Sequence, residues 1–100
     1  MTERKVRAAL IQATLCEDAT APVEKIKKAM IDKHVDLIAE AADKGAQIVC
    51  LQELFYGPYF PAEQTIKWYD LTEPIPDGPT TKLAQELAKK YGMVIVLPVY

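Results

Sequence analysis

Apolar residues form two kinds of pattern along this chain, continuous short runs and helical periodicity. Continuous runs at residues 6–14, 46–52 and 93–99 are typical of strands buried on both faces. Between these runs, apolar residues recur every three or four positions, which is the spacing of one helix face. The pattern predicts an α/β fold with the element order β-α-β-α-β, in which helices cover parallel strands.

The first predicted helix begins near Asp18 or Thr20, with Pro22 as a further start signal, and ends at Gly45. A helix of this length needs one apolar stripe that faces the sheet. The stripe is predicted to consist of Ile26, Met30, His34, Leu37, Ile38, Ala41 and Ala42.

A second long helix is predicted to open at Gly78-Pro79 and to end at Gly92, because proline suits the first helical turn and glycine the position after the last. Its stripe is Leu83, Leu87 and Tyr91. A short helix is predicted over residues 62–68. The segment 71–77 contains two prolines and is predicted to be a stiff loop.

Composition and charge narrow the class of protein. The chain has 100 residues, half of them apolar, which suits one globular domain. Its 12 basic and 14 acidic residues form no basic cluster longer than two lysines, so neither nucleic acid nor a membrane surface is an expected partner. No apolar run approaches the ~20 residues of a membrane span. With only Cys16 and Cys50 and no CxxC spacing, we expect a cytoplasmic protein without disulfides or structural zinc.

Glu53 is the best candidate for a chemical group. It follows the apolar run at residues 46–52 and precedes a loop of aromatic residues with Gly57-Pro58, so it lies at the carboxyl end of a predicted strand. Ligands and catalytic groups collect there in α/β folds. We expect Leu54 and Phe55 to desolvate it partly, which suits a general base. A glutamate that points into water fits the same position equally well.

Other candidate sites are weaker. Strand alternation places Cys50 with Gln52 on one face and Leu51 with Glu53 on the other, so Cys50 is predicted to be a core thiol and not a nucleophile activated by Glu53. His34, on the helix stripe, is predicted to be packed. The turn after the first strand has no glycine, which disfavours nucleotide binding.

Two clusters of residues remain to be assigned. The segment Asp77-Gly78-Pro79-Thr80-Thr81 has no spacing that suits a metal and is interpreted as a helix cap. Six aromatic residues are close together in sequence, and they are predicted to form either a pocket wall or a subunit contact. They are Phe55, Tyr56, Tyr59, Phe60, Trp68 and Tyr69.

Three sequence segments in this order resemble the carbon-nitrogen hydrolase (nitrilase) superfamily. They are Val49-Cys50-Leu51-Gln52-Glu53-Leu54-Phe55, Tyr59-Phe60 and Asp77-Gly78-Pro79-Thr80-Thr81. The resemblance covers essentially the whole chain. The stretches 21–30 and 55–64 are most similar to bacterial β-ureidopropionases, with N-carbamoylputrescine amidohydrolases close behind.

The resemblance implies the N-terminal part of an α-β-β-α sandwich and a Glu-Lys-Cys mechanism. In it, a cysteine thiolate attacks the substrate carbon, the glutamate acts as base and then acid, and a lysine stabilises the tetrahedral intermediate. Glu53 matches the glutamate, and Tyr59 is implied to reach the substrate. The matching lysine and cysteine are not within residues 1–100. The resemblance also implies no metal or organic cofactor and a homo-oligomer assembled through helical faces.

These observations lead to one expectation and several alternatives. We expect residues 1–100 to be the N-terminal portion of a single domain that is incomplete at the C-terminus. We expect the complete protein to be an amidohydrolase that acts on N-carbamoyl-β-alanine, and residues 1–100 alone to be inactive. N-carbamoylputrescine is the alternative small-molecule substrate. A non-catalytic interaction module is the alternative from another class, and a nucleotide-binding fragment is weaker still.

Overall fold

The three strands of this protein form one parallel sheet. The computed structural model describes residues 3–62 and 65–100. Within them, β1 spans Ala8–Leu10, α1 Val23–Asp43, β2 Ile48–Cys50, α2 Pro79–Tyr91 and β3 Val94–Val96. The sheet order is β1-β2-β3, with both neighbouring pairs parallel. The predicted α/β fold and its element order β-α-β-α-β are therefore confirmed.

The strands are shorter than the apolar runs that predicted them. Each has three residues, although hydrogen bonds of the ladder continue slightly further. The Gln47 N–H donates to Arg7 O at 2.7 Å, and the Leu51 N–H donates to Val96 O at 3.2 Å. Leu97 lies outside β3 and still packs against the core. The apolar runs overstate the strands because core packing continues after strand pairing has ended.

The C-terminus of α1 has the predicted glycine stop. Gly45 has a φ of +84°, and its N–H donates to Ala42 O at 3.0 Å. The Ala46 N–H donates to Ala41 O at 3.0 Å. These are the two hydrogen bonds of a Schellman motif, which a residue in the left-handed region makes possible.

The N-termini of both helices lack a capping side chain from the N-cap residue. Pro22 is the N-cap of α1, while the Asp18 carboxylate accepts hydrogen bonds from the Thr20 N–H and hydroxyl before the helix begins. Gly78 is the N-cap of α2 and Pro79 occupies its first turn, as predicted. The predicted start signals are therefore close to the helix ends, but Asp18 and Thr20 bond each other instead of capping α1.

Both helices pack on one face of the sheet, as right-handed crossovers between strands in sequential order require. Val49 of β2 and Leu51, directly after β2, are 0% and 3% exposed and belong to the same hydrophobic core as residues of both helices. Of the predicted α1 stripe, Leu37 and Ala42 are half-buried. The fully buried members are Ile26, Met30, His34, Ile38 and Ala41. In α2 the buried residues are Thr80, Ala84 and Leu87.

The opposite face of the sheet is apolar and largely exposed within the described residues. We call it the outer sheet face; its residues are in register across the three strands. Leu10 is 84% exposed, Val94 59% and Val96 44%. The members of the outer sheet face are Ala8, Leu10, Ile48, Cys50, Val94 and Val96.

The segment between β2 and α2 differs from the prediction. In place of one helix over residues 62–68, the structure has two 3₁₀ helices, Phe60–Ala62 and Lys67–Leu71. Residues 63 and 64 lie outside the described part of the chain. Within residues 3–62 and 65–100, no helix is both long and apolar enough to cross a membrane.

Candidate active site

The carboxyl ends of the three strands meet at one edge of the sheet, because the strands are parallel. Gln52 links two of these ends directly. Its side-chain Nε2 donates to Ala13 O at 2.9 Å, and its Oε1 accepts from the Ala13 N–H. Gln52 therefore ties the segment after β1 to the segment after β2, immediately before Glu53. This role had no signal in the sequence beyond the position of the amide next to Glu53.

Glu53 begins a turn that extends to Tyr56, and the strand alternation ends there. Leu54 has a φ of +56°, a left-handed conformation that is uncommon for a branched side chain. The turn places Leu54, Phe55 and Tyr56 in the interior, where they are 9%, 3% and 0% exposed. The Glu53 side chain is exposed.

Two predictions about the surroundings of Glu53 are therefore wrong. Glu53 is exposed whereas Leu51 is 3% exposed, so the two do not share a buried face as strand alternation predicts; β2 has ended at Cys50, and Glu53 begins the turn. Leu54 and Phe55 do not desolvate it, because their side chains point into the core. The alternative, a glutamate that points into water, is therefore correct for Glu53.

The aromatic residues after Glu53 divide into two groups. Phe55 contacts His34 and Tyr56 edge-on, with ring centroids 5.0 and 5.2 Å apart, and Tyr56 contacts Tyr100 at 5.1 Å. Tyr59, in contrast, is 64% exposed. The buried group forms part of the core and not an open pocket wall, while a substrate contact for Tyr59 stays a prediction.

A buried ion pair that sequence reasoning missed lies behind this turn. Lys27 of α1 places its Nζ 2.6 Å from the Glu73 carboxylate, and the two side chains are 14% and 3% exposed. Glu73 also accepts hydrogen bonds from the Thr80 N–H at 2.7 Å and from the Thr80 hydroxyl. The carboxylate that satisfies the first turn of α2 therefore comes from the preceding loop. The helix start predicted at residues 77–81 is correct, but the N-cap Gly78 has no side chain to cap it, and the capping carboxylate is that of Glu73.

Tyr56 connects this ion pair to the turn that begins at Glu53. Its hydroxyl lies 3.0 Å from Leu71 O and 3.1 Å from Tyr100 O, and the Lys27 Nζ is 4.8 Å from the centre of its ring. We call the side chains Lys27, Tyr56, Glu73 and Thr80 the Glu73 network. No periodicity or motif pointed to it, because its members come from four separate segments of the chain.

Burial perturbs several of these groups. Burial alone would raise the pKa of Glu73, but hydrogen bonds from Lys27 and Thr80 outweigh it and hold the pKa below its ordinary value. Burial raises the pKa of Tyr56 to about 12 and that of Tyr100 to about 12. At neutral pH the network therefore consists of an ionised Glu73 and a neutral Tyr56.

The two remaining candidate residues are His34 and Cys50. His34 is 1% exposed and its Nδ1 lies 2.7 Å from Met30 O, which confirms a packed histidine. Cys50 is half-buried on the outer sheet face, opposite the face of Leu51, so it does not lie in the core between the sheet and the helices, contrary to the prediction of a core thiol. The described residues contain no cluster of histidine, cysteine and carboxylate side chains suited to a metal ion. The expected absence of a cofactor stays a prediction.

Residues 7–100 match the family model described as carbon-nitrogen hydrolase. The chain belongs to this family. The match extends over β1, both helices and β3, so it includes every element that positions Glu53. The predicted resemblance to carbon-nitrogen hydrolases is therefore confirmed.

Several curated proteins are similar to this carbon-nitrogen hydrolase chain in sequence. A beta-ureidopropionase of Arabidopsis thaliana is 41% identical over 96 residues, which are 96% of this chain and 23% of that protein. An N-carbamoylputrescine amidase of Solanum lycopersicum is 34% identical over 92% of this chain and 28% of its own length. An omega-amidase of Xenopus laevis is 39% identical over 74% of this chain and 25% of its own length. The chain spans about a quarter of the length of these curated relatives.

Proposed function

We propose that the complete protein is an amidohydrolase of N-carbamoyl compounds, with N-carbamoyl-β-alanine as its substrate. Water and the substrate would yield the free amine, ammonia and carbon dioxide. The observation that carries this proposal is the 41% identity to a beta-ureidopropionase over 96% of the chain. The membership of the carbon-nitrogen hydrolase family supports the class of reaction.

Glu53 is the general base in this proposal. It takes the proton of a cysteine thiol, the thiolate attacks the carbamoyl carbon, and the same carboxyl group then returns the proton to the departing ammonia. The carboxylate next takes a proton from water, whose oxygen attacks the thioester carbon; the carbon–sulfur bond breaks, the thiol regains its proton, and the released carbamate decomposes to the free amine and carbon dioxide. A lysine stabilises the negative oxygen of the tetrahedral intermediate. The lysine and the cysteine lie outside residues 1–100. The exposed position of Glu53 at the carboxyl end of β2 supports the role, because a substrate can approach it there.

We also propose that residues 1–100 are the N-terminal portion of one α-β-β-α sandwich domain. The structure has one helical layer and one sheet layer, and its outer sheet face is apolar. Exposed apolar surface of this kind is normally covered in a native domain, and a second sheet would cover it. Assembly into a homo-oligomer through helical faces and a cytoplasmic location stay part of the proposal.

An N-carbamoylputrescine amidohydrolase is the second candidate, which the 34% identity over 92% of the chain favours. The two substrates differ in the group remote from the reaction, a carboxylate in one and an ammonium in the other. Ammonia release from both compounds by the complete purified protein separates the candidates. A clear preference for N-carbamoylputrescine would replace the first substrate and keep the mechanism.

The decisive variant is Glu53→Gln in the complete protein, because an amide of equal size cannot accept the thiol proton. Turnover should fall by a factor of about 10³ or more while the fold is retained. Glu86→Gln is a matched control, since Glu86 is an exposed glutamate of α2 remote in sequence from the strand end. Near-normal turnover in Glu53→Gln would contradict the assigned mechanism.

A non-catalytic interaction module remains the alternative from another class, and the outer sheet face is the observation that favours it. Size-exclusion chromatography of residues 1–100 separates the two views. A soluble, cooperatively folding monomer would contradict the proposal that a second sheet must cover this face. Aggregation or a mixture of oligomers would support it.

A further inference from the structure

The position of Glu53 depends on a turn that is unfavourable by itself. Leu54 occupies the left-handed region, at a cost of about 1–2 kcal/mol for a residue with a β-carbon. Such a conformation persists only where the surrounding structure enforces it. Within residues 3–62 and 65–100, the Glu53 carboxylate makes no hydrogen bond or ion pair, so the backbone of this turn is what sets where its side chain begins.

Tyr56, at the end of this turn, is the turn residue whose side chain bonds other segments. It is completely buried, three positions after Glu53, and its ring contacts both Phe55 and Tyr100. Its hydroxyl reaches Leu71 O at 3.0 Å and Tyr100 O at 3.1 Å. The end of the turn is therefore attached to two other segments, the loop before α2 and the segment after β3.

Lys27 and Glu73 bond the same two carbonyl groups that lie near the Tyr56 hydroxyl. The Glu73 N–H donates to Tyr100 O at 3.0 Å, the same carbonyl that lies near the Tyr56 hydroxyl. The Lys27 Nζ lies 3.4 Å from Leu71 O, the second carbonyl near that hydroxyl. Leu71 O therefore accepts from the ion-paired Lys27 side chain, and Tyr100 O accepts from the main chain of Glu73, the partner residue of Lys27.

We propose that Tyr56 is a positioning residue for Glu53, and that Lys27 and Glu73 orient the two carbonyl groups that share the single proton of the Tyr56 hydroxyl. This inference rests on the proposed role of Glu53 as general base. A general base must lie about 2.6–3.2 Å from the group that it deprotonates. A displacement of about 1 Å at such a site can cost as much as about 100-fold in rate.

The chain provides a matched pair of variants for the test. Tyr56→Phe removes a hydroxyl whose single proton lies between two carbonyl oxygens, whereas Tyr100→Phe removes a buried hydroxyl that has no hydrogen-bond partner in the described residues. The two rings lie side by side, with centroids 5.1 Å apart, and both substitutions keep the ring. A difference between these variants therefore reports the hydrogen bonds of Tyr56 and not the packing of an aromatic ring.

The experiment measures kcat and KM of the complete protein with N-carbamoyl-β-alanine, with folding checked by circular dichroism. In Tyr56→Phe, kcat should fall by about tenfold or more while KM changes by less than about twofold, because only the position of the base is lost. Tyr100→Phe should keep kcat within about twofold of the parent. Equal kcat values in Tyr56→Phe and the parent would overturn the inference.

A double-mutant cycle separates positioning from general stability. In a Glu53→Asp background the base is already misplaced, so adding Tyr56→Phe should cost much less than it does in the parent. If Tyr56 only stabilises the fold, the same factor should be lost in both backgrounds, which would overturn the inference.

The turnover of Glu53→Gln distinguishes a failure of this inference from a failure of the proposed function. Normal turnover in Glu53→Gln would reject the role of the general base, and the positioning of that base would fall with it. An inactive Glu53→Gln together with a fully active Tyr56→Phe would leave the proposed function standing and reject the positioning role alone.

Discussion

Replacing Lys27 with methionine should destabilise the protein substantially. The Lys27 Nζ is 2.6 Å from the Glu73 carboxylate, and the side chains are only 14% and 3% exposed. Removing one partner of a buried pair typically costs about 3–5 kcal/mol, because the other charge stays buried without compensation. Since Thr80 continues to donate two hydrogen bonds to Glu73, we expect the lower end, about 3 kcal/mol.

The neighbouring residue provides the control for this variant. Lys28 also lies on α1 and pairs with Asp32 at 2.7 Å, but these side chains are 78% and 63% exposed. Exposed pairs of this spacing contribute about 0.3–0.5 kcal/mol, so Lys28→Met should have little effect. Urea unfolding at neutral pH gives the free energy of unfolding for each variant of the complete protein. Equal losses in Lys27→Met and Lys28→Met would refute the reasoning.

Acid pH provides a second check on the same ion pair. The pKa of Glu73 is lowered in the folded protein, so its contribution to stability is present above the unfolded pKa and is lost as pH falls through the folded pKa. Lys27→Met removes a cause of that lowering. The difference in stability between the parent and Lys27→Met should therefore shrink as pH falls below about 4.5. A difference that is constant down to acid pH would show that Lys27 acts through packing alone.

Three further predictions follow from buried groups and glycines. Burial lowers the pKa of His34 in the folded protein. The stability that its neutral ring contributes is therefore present above the unfolded pKa of about 6.5 and is lost as pH falls below that value. His34→Gln should flatten the pH dependence of the free energy of unfolding in this range. Because burial raises the pKa values of Tyr56 and Tyr100 to about 12, stability should decline from pH ~10 upward, and each tyrosine-to-phenylalanine variant should remove one late-titrating group from the tyrosinate absorbance. Gly78→Ala should lower the thermal midpoint more than Gly92→Ala. A Cβ at Gly78 would lie 2.7 Å from a carbonyl oxygen, which the backbone must move to avoid, whereas a Cβ at Gly92 meets open space and adds only the strain of its left-handed φ of +60°.

The sequence predicted those features that depend on local pattern. Continuous apolar runs identified three parallel strands, and the glycines at 45 and 92 marked the helix ends because each has a positive φ. The position of Glu53 at the carboxyl end of β2 also followed from pattern alone. Its exposure did not, because period-two alternation applies only while the strand continues. The left-handed Leu54 ends that regularity, and nothing in a leucine marks such a conformation.

The Glu73 network was beyond sequence reasoning for a different reason. Lys27 and Glu73 are remote in sequence, and each has an ordinary local context, a helix surface and a proline-rich loop. A buried ion pair depends on how the loop folds back over α1, which periodicity does not encode. The helix start at residues 77–81 was recognised correctly, but the carboxylate that bonds it belongs to Glu73, before the segment where caps are sought.

The structure changes the physical account of how Glu53 would work. A general base benefits from exclusion of water, and the residues nearest in sequence were expected to provide it. Leu54 and Phe55 instead fill the core, where Phe55 packs on His34 and helps to hold the turn. In the proposed enzyme these residues therefore set the position of the carboxylate, and its desolvation must come from the substrate or from residues outside 1–100. Position and desolvation of the base are thus assigned to different parts of the protein. Substitutions in the Glu73 network should accordingly change the rate through geometry and not through access of water to Glu53.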